Sequence, residues 1–486
     1  PLTGVTLPLL SYGGSSLLTS FLSLLILLVV SDYDKQESSK HFSNKAIVNI
    51  GKLFVVFSTL LIIANGFIVL FKDKELISRI DNPRWVINDR YSPRGYILAL
   101  DGSPISSNIG QPGSYQRQSN YPPLGSIIGY TNALYGQVGL EEALYPYLRG
   151  SVGIPFQDQW IHQILYNQPP EGLDIKLNIN LPLQKIADEL MKDEKGAIVL
   201  LNAITGEINV MASHPYYNPE IIIEDWSNLT NDPNSPLINR VTQGAYPLGS
   251  AGNIILLSSL LSDPGKSISG FTLTNQMDSF CYEGIKAANS EINTIKFGCQ
   301  KSYQELAGLL SPKNLISTMD SMLLFSAPAF ILPVPQPPEK PDMINDIPKF
   351  LNGDTGFYVS PIQMALITAS FTNDGIIPKP VLVNSYLDVN GNWLAFPHDL
   401  KSVQTVPDYA SNQIIDFLAD ESKPIWFSIG HVLNDNEEGI TWYLGGTLPD
   451  WQGSPLSVAI VLESNNPALV QKIGSQLLTA NTIADN

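Results

Sequence analysis

The sequence is short of basic side chains. Its 486 residues include 28 lysines and arginines against 45 aspartates and glutamates, which gives a net charge of −17. A protein that binds nucleic acid presents a basic face to the phosphates, so this balance argues against nucleic acid as a partner. The length is sufficient for two or three domains.

Cysteine and histidine are also scarce. The two cysteines, Cys281 and Cys299, are too few for a disulfide framework. They either form one bridge in an oxidising compartment or remain buried thiols, and the sequence leaves both possibilities open. The five histidines have no ligand spacing and Cys-x-x-Cys is absent, so we expect neither a metal nor a cofactor.

Two long apolar runs are present, Leu17–Val30 and Ile50–Phe71. A membrane-spanning helix needs about 20 apolar residues, so each run predicts a transmembrane helix. A buried core helix is the alternative, and it is more credible for the first run than for the second. The second run would be the membrane anchor of the chain.

Residues 32–49 form a polar loop between the two runs, with lysines at positions 35, 40 and 45. Lysine-rich loops favour the cytoplasmic side, so we expect the remainder of the chain to be extracytoplasmic. No basic n-region and no A-x-A site precede the apolar runs, so no removable signal peptide is predicted. The predicted location is the plasma membrane of a bacterium.

The chain begins PLTGVTLPLLSYGGSS, over Pro1–Ser16. This segment resembles the signature that precedes the last transmembrane helix in the FtsW/RodA (SEDS) family of peptidoglycan glycosyltransferases. The resemblance implies that residues 1–31 are the C-terminal end of such a polymerase. Because the chain lacks an initiator methionine, we expect a fragment in which the polymerase is fused to the rest of the chain, as a partner in cis.

From Asn82 onward the sequence resembles a class B penicillin-binding protein. The stretches Asn82–Arg84, Arg94–Ile97 and Tyr135–Glu141, which reads YGQVGLE, are similar to the pedestal of that family. The glycines and prolines of this region mark tight turns between short strands. The resemblance implies a β-rich pedestal at 72–174, after the anchor at 50–71, and a transpeptidase-like domain at 175–486.

The predicted fold class is α+β. The segment Gly196–Ser213 alternates like two strands joined by a turn at Thr205-Gly206, and a helix is expected at Leu183–Leu190. The family resemblance implies that this hairpin opens a penicillin-binding, serine β-lactamase-like domain, in which helices flank an antiparallel sheet.

Three catalytic motifs of that family can be placed on the chain. The first is Ser-x-x-Lys, and here Tyr246-Pro-Leu-Gly-Ser250 puts Ser250 at the nucleophile position. Asn253 stands where the lysine base belongs, and an amide has no basic nitrogen at neutral pH. A serine that follows Pro-Leu-Gly and precedes an apolar run is also a typical helix N-cap, so Ser250 could cap as well.

The second motif is Ser-x-Asn, and its best register is Gly298-Cys299-Gln300. Gly298 lacks the hydroxyl, whereas Gln300 keeps an amide. The third motif is Lys-Thr-Gly, and the matching segment is Ser428-Ile429-Gly430-His431. Only Gly430 survives there. His431 is a candidate substitute base, although a lone histidine is more often structural.

These losses predict a pseudo-transpeptidase. Loss of one member of a nucleophile–base unit costs about 10⁴–10⁶ in rate. The hypothesis is a non-catalytic, membrane-anchored domain that regulates or scaffolds the polymerase and contacts peptidoglycan strands or stem peptides. The alternative is an active D,D-transpeptidase with non-standard catalytic groups that also binds β-lactams. A degenerate antibiotic sensor is a third possibility, and a role in division or in elongation stays open.

Overall fold

The computed structural model describes Phe21, Leu24, Leu27 and residues 44–67, 90–132, 134–152, 171–262, 291–398, 401–433 and 439–480. The chain divides into two units, Pro1–Arg79 and Ile80–Asn486. The predicted polymerase signature at Pro1–Ser16 and Cys281 lie outside the described residues.

The first unit contains the helix Asn44–Phe67. Within the described residues, no helix combines the length and the apolar character that a membrane crossing requires. The two membrane helices predicted at Leu17–Val30 and Ile50–Phe71 are therefore not found there. Most of the first run and the end of the second lie outside the described residues.

The second unit contains many short helices and a few longer ones. Its α-helices are Gly125–Ile128, Leu140–Ala143, Tyr145–Leu148, Leu181–Leu190, Ile222–Asn231, Arg240–Gln243, Asn253–Leu260, Glu291–Lys296, Gln300–Gly308, Pro312–Ser321, Ile347–Leu351, Pro361–Thr372, Asp408–Phe417 and Pro467–Thr479. Single 3₁₀ turns lie at Pro122–Leu124, Pro219–Ile221 and Gly249–Gly252.

The strands of the second unit are numbered in chain order. They are β1 (Ile97–Leu98), β2 (Pro104–Ile109), β3 (Gln116–Ser119), β4 (Thr131–Asn132), β5 (Gly136–Gln137), β6 (Ile175–Leu177), β7 (Gly196–Asn202), β8 (Ile208–His214), β9 (Ile376–Ile377), β10 (Val383–Leu387), β11 (Trp393–Ala395), β12 (Val403–Gln404), β13 (Ile425–Leu433), β14 (Gly439–Thr447) and β15 (Leu456–Leu462).

The central sheet has the order β13-β14-β15-β7-β8 in the described residues, and every pairing is antiparallel. The predicted hairpin is confirmed as β7 and β8, and Gly206 adopts φ +76° in the turn between them. That left-handed conformation is accessible to glycine without a steric penalty. The predicted helix is also present and begins slightly earlier, at Leu181.

Alternate residues of a strand point to opposite sides of the central sheet, and helices cover both of these faces. Val199 and Val461 pack into one core with the helix Pro361–Thr372. Ile198 and Ile460 pack into the other core with the helix Pro467–Thr479. The predicted α+β arrangement of an antiparallel sheet flanked by helices is therefore confirmed.

A second sheet has the order β11-β10-β6-β1-β2-β3 in the described residues. In it, β1 runs parallel to β6, and β10 pairs antiparallel with the other side of β6. Strands from both sides of residue 174 thus share one sheet. The segments predicted as a pedestal and as a transpeptidase-like domain are therefore joined by backbone hydrogen bonds as well as by the chain.

Candidate functional site

Ser250 lies in the 3₁₀ turn Gly249–Gly252, directly before the helix Asn253–Leu260. The approach to this turn is well anchored. The indole Nε1 of Trp442 donates to the carbonyl of Pro247 at 2.9 Å. The Tyr246 hydroxyl donates to Glu463 at 2.8 Å. These bonds fix the turn beside β13, the edge strand of the central sheet, and leave Ser250 only 1% exposed.

The Ser250 hydroxyl bonds across to the edge strand. The backbone N–H of His431 donates to Ser250 Oγ at 2.9 Å. A longer contact of 3.5 Å joins Oγ to the carbonyl oxygen of His431. The side chain makes no capping bond to its own helix, so the N-cap interpretation of Ser250 is wrong.

Asn253 is fully buried one turn after Ser250. Its Nδ2 donates to the carbonyl of Ile295 at 3.1 Å, while Oδ1 is buried with no hydrogen-bond partner among the described residues. The side chain therefore joins the serine helix to the segment that precedes Gly298. An amide in this position can orient that segment but cannot accept a proton from a hydroxyl.

Gly298 packs directly against the serine. It adopts φ +64°, and a Cβ on it would lie 2.6 Å from Ser250 Oγ and 2.5 Å from the Ile429 carbonyl oxygen. Gly430 is equally tight, because a Cβ there would lie 2.0 Å from the backbone nitrogen of Ala251. Because neither glycine has a side chain, the serine turn, β13 and the segment around Gly298 can pack closely together.

The His431 imidazole is engaged elsewhere. Its Nε2 lies 3.1 Å from the carbonyl oxygen of Phe297. A carbonyl only accepts, so Nε2 carries the proton and donates it. The structure thus brings the backbone of His431, but not Nε2, to Ser250.

The remaining predicted site residues lie at the margins. The hydroxyl of Ser428 is buried without a hydrogen-bond partner in the described part of the chain. Gln300 begins the next helix, and its side chain is not among those that the structure bonds to Ser250. Cys299, which directly precedes Gln300, is disulfide-bonded. Of the bridge and the buried thiol that the sequence left open, the structure therefore has the bridge.

Lys296 is a residue of this region that the sequence did not reveal. It is buried, its Nζ donates to the Ala419 carbonyl at 2.6 Å, and the ammonium lies 4.2 Å from the ring centroid of Phe427. Burial lowers the pKa of Lys296 to about 8, against the opposing attraction of Asp420 and Glu421. No motif marks this lysine, and its closeness to Gly298 was the only signal.

The site as built offers limited chemistry. It holds the Ser250 hydroxyl, the backbone N–H of His431 directed at that hydroxyl, and the amide of Asn253. Among the described residues, no three His, Cys, Asp or Glu side chains are grouped as metal ligands would be. A serine hydroxyl becomes an effective nucleophile only when an adjacent base activates it.

The fold is that of a penicillin-binding D,D-transpeptidase domain. It superposes on penicillin-binding protein A from M. tuberculosis, as its imipenem acyl-enzyme complex, with a TM-score of 0.68, 20% identity and coverage of 81% of this chain and 99% of that one. The D,D-transpeptidase domain of a peptidoglycan glycosyltransferase from Eggerthella lenta gives a TM-score of 0.64, 22% identity and coverage of 80% and 97%. At these identities the likeness establishes the fold alone.

Sequence comparison adds relatives in the same class. Peptidoglycan D,D-transpeptidase MrdA of Escherichia coli K12 is 30% identical over 189 residues, which is 35% of this chain and only 28% of that protein's length. Peptidoglycan D,D-transpeptidase PbpA of Mycolicibacterium smegmatis is 25% identical over 332 residues, covering 62% and 67%. Residues 1–36 match the FtsW/RodA/SpoVE family model, described as cell cycle protein.

Proposed function

We propose that this chain acts in peptidoglycan synthesis as a pseudo-transpeptidase that regulates or scaffolds an FtsW/RodA-type polymerase at the bacterial membrane. The observation that carries the proposal is the 2.9 Å hydrogen bond from the His431 N–H to Ser250 Oγ. A domain that has kept a structural role beside the polymerase would retain its fold after its catalytic groups were lost.

The proposal is based on what acyl transfer requires. A nucleophilic serine needs a base to take its proton, and backbone N–H groups must point at the oxyanion that develops on the acyl donor. Asn253 provides no base, and the His431 N–H is used by the hydroxyl itself. Ser250 is 1% exposed, so an acyl carbonyl has no approach to Oγ without displacement of Gly298 or β13.

The polymerase partner is supported by the family-model match at residues 1–36. A polymerase fused to this domain would encounter it at an effective concentration of up to about millimolar. The disulfide at Cys299 is compatible with an extracytoplasmic location, because such bridges persist in oxidising compartments. Peptidoglycan strands or stem peptides are the ligands that the relatives' activity points to.

An active D,D-transpeptidase that binds β-lactams is the second candidate. It is favoured by the retained Ser250 hydroxyl at the start of a buried helix and by the acyl-enzyme complexes of penicillin-binding protein A. Acyl transfer would require Gly298 and β13 to separate, and a new base to reach Oγ.

Labelling of the full chain with a fluorescent penicillin distinguishes the two candidates. We expect no covalent adduct, with Ser250→Ala giving the same background signal. Penicillin-binding protein A from M. tuberculosis, which forms a penicillin G acyl-enzyme complex, serves as the positive control. A mass increase of one penicillin on the peptide that contains Ser250 would establish the active alternative instead.

A further inference from the structure

A recess of about 270 Å³ lies in the unit Ile80–Asn486, and none of the residues of the Ser250 site lines it. We call it the Ser126 recess. Its walls come from the segment around Ser126 and from three later segments, around Tyr217, Thr242 and Leu332. A concave site with aromatic walls and a few polar groups is the usual form of a small-molecule site.

The polar groups of the recess include a hydroxyl with no partner. Ser126 is 8% exposed, and its Oγ makes no hydrogen bond in the described part of the chain. Buried hydroxyls in folded proteins are normally paired, and Ser126 lines the recess, so a molecule bound there is a candidate partner for its hydroxyl. Thr242, Gln243 and Glu142 add further donors and acceptors along the same wall.

The aromatic wall is a corner built by two tyrosines. The rings of Tyr130 and Tyr217 lie 6.3 Å apart at an interplanar angle of 73°. Behind them, Trp226 lies 6.4 Å from Tyr130 and stacks on Tyr135 at 4.0 Å. Burial raises the pKa of Tyr130 and of Tyr217, so both phenols stay neutral donors at physiological pH.

The charge of the lining selects against anions. Glu142 is the one charged side chain among the described residues that line the recess, and no lysine, arginine or histidine joins it there. The neighbouring recess, which shares Tyr130, contains Arg90, Arg94 and Arg117 and is the contrasting case. A carboxylate or phosphate in the Ser126 recess would face Glu142 without a compensating cation.

We propose that the Ser126 recess binds a neutral saccharide. A sugar ring presents hydroxyls on its rim, which would pair with Ser126, Thr242 and Gln243. It presents C–H groups on its face, which would pack on the rings of Tyr130 and Tyr217. The proposal concerns a binding site apart from Ser250 and holds whether or not the Ser250 site transfers acyl groups.

Isothermal titration calorimetry of the full chain with chitotetraose, a neutral oligosaccharide, tests the proposal. We expect saturable binding with a Kd below about 5 mM. Ser126→Ala should lower the affinity about three- to tenfold, the usual effect of losing one hydrogen bond. The matched control is Ser259→Ala, which removes another buried, unpartnered hydroxyl outside the recess and should leave affinity unchanged.

Charge selectivity gives a second readout. Tetragalacturonate, an acidic oligosaccharide, should bind at least tenfold more weakly than chitotetraose, and Glu142→Lys should reduce or reverse that preference. Thermal unfolding of each variant verifies the fold. No saturable binding of chitotetraose, binding that Ser126→Ala leaves unchanged, or equal binding of the acidic oligosaccharide would each overturn the proposal. Penicillin labelling at Ser250 would leave these results unaffected.

Discussion

The backbone N–H of His431 donates to the hydroxyl of Ser250 across 181 positions of the sequence, at 2.9 Å. The bond closes the serine turn onto the edge strand, and Ala251 and Gly430 pack beside it with no room for a Cβ at position 430. The serine therefore acts as a structural link between β13 and the helix behind it.

Gly298→Ala should destabilise the chain by roughly 2–4 kcal/mol. The substitution adds a Cβ at φ +64°, where it would lie 2.6 Å from Ser250 Oγ and 2.5 Å from the Ile429 carbonyl oxygen. Urea unfolding followed by tryptophan fluorescence measures the effect.

The matched control for this substitution is Gly391→Ala. Gly391 has a similar φ of +81° but nothing within 4 Å of an added Cβ. It should lose only about 1–2 kcal/mol from the backbone conformation. Equal losses at the two glycines would mean that the contact between Gly298 and Ser250 is not tight.

Asn253→Lys should not restore penicillin labelling and should destabilise the chain by several kcal/mol, since it buries an ammonium where Asn253 is fully enclosed. It also removes the bond to the Ile295 carbonyl. Labelling and urea unfolding are measured on the same samples. Asn228→Lys, at an exposed position of a surface helix, should change stability by less than about 0.5 kcal/mol. Labelling of the Asn253 variant would contradict the closed site.

Glu141→Gln should cost roughly 3–5 kcal/mol at pH 7, because it leaves the buried Arg94 and the partly buried Arg117 without their carboxylate. Glu141 is buried and lies 2.7 Å from Arg117 Nε and 3.0 Å from Arg94. The adjacent Glu142→Gln, at an exposed position, is the control and should be almost neutral.

The Glu141 contribution should also depend on pH. Burial alone would raise its pKa, but Arg117 and Arg94 hold the pKa below its ordinary value of 4.5. Its stabilisation is therefore complete above about pH 4.5 and declines as the pH falls through the lower folded pKa. The stability gap between wild type and Glu141→Gln should narrow below about pH 4.5. A constant gap would argue against the ion pairs.

Lys296 predicts a second rise of stability with pH, in the alkaline range. Burial lowers its pKa from 10.5 to about 8, so the unfolded chain binds more protons than the folded chain between these values. The free energy of unfolding should then rise by up to roughly 3 kcal/mol between pH 8 and 10.5. Lys296→Met should abolish this rise, whereas the exposed Lys313→Met should retain it. An unchanged rise in Lys296→Met would assign the effect to other groups.

Much of the scaffold was predictable because it depends on local pattern. Apolar alternation with a Thr205-Gly206 turn predicts the β7–β8 hairpin, and the structure contains it. The predicted motif losses also depend on local sequence, since an asparagine at 253 and the lack of a lysine around Gly430 are visible in the chain itself. The Ser126 recess carried no sequence signal, because its lining residues come from four separate segments, within 126–142, at 217, within 237–243 and at 332–333.

By itself, the sequence indicated the α+β class, the choice of Ser250 as candidate nucleophile and an asparagine without basic character at 253, since residue identity and periodicity are local properties. Only the tertiary structure decided what the serine does. Its hydroxyl could have capped a helix or faced a cleft. His431 could have placed either its imidazole ring or its backbone N–H beside that hydroxyl. Which of these forms depends on how closely Gly298 and β13 approach the serine turn, and that packing joins segments far apart in the chain.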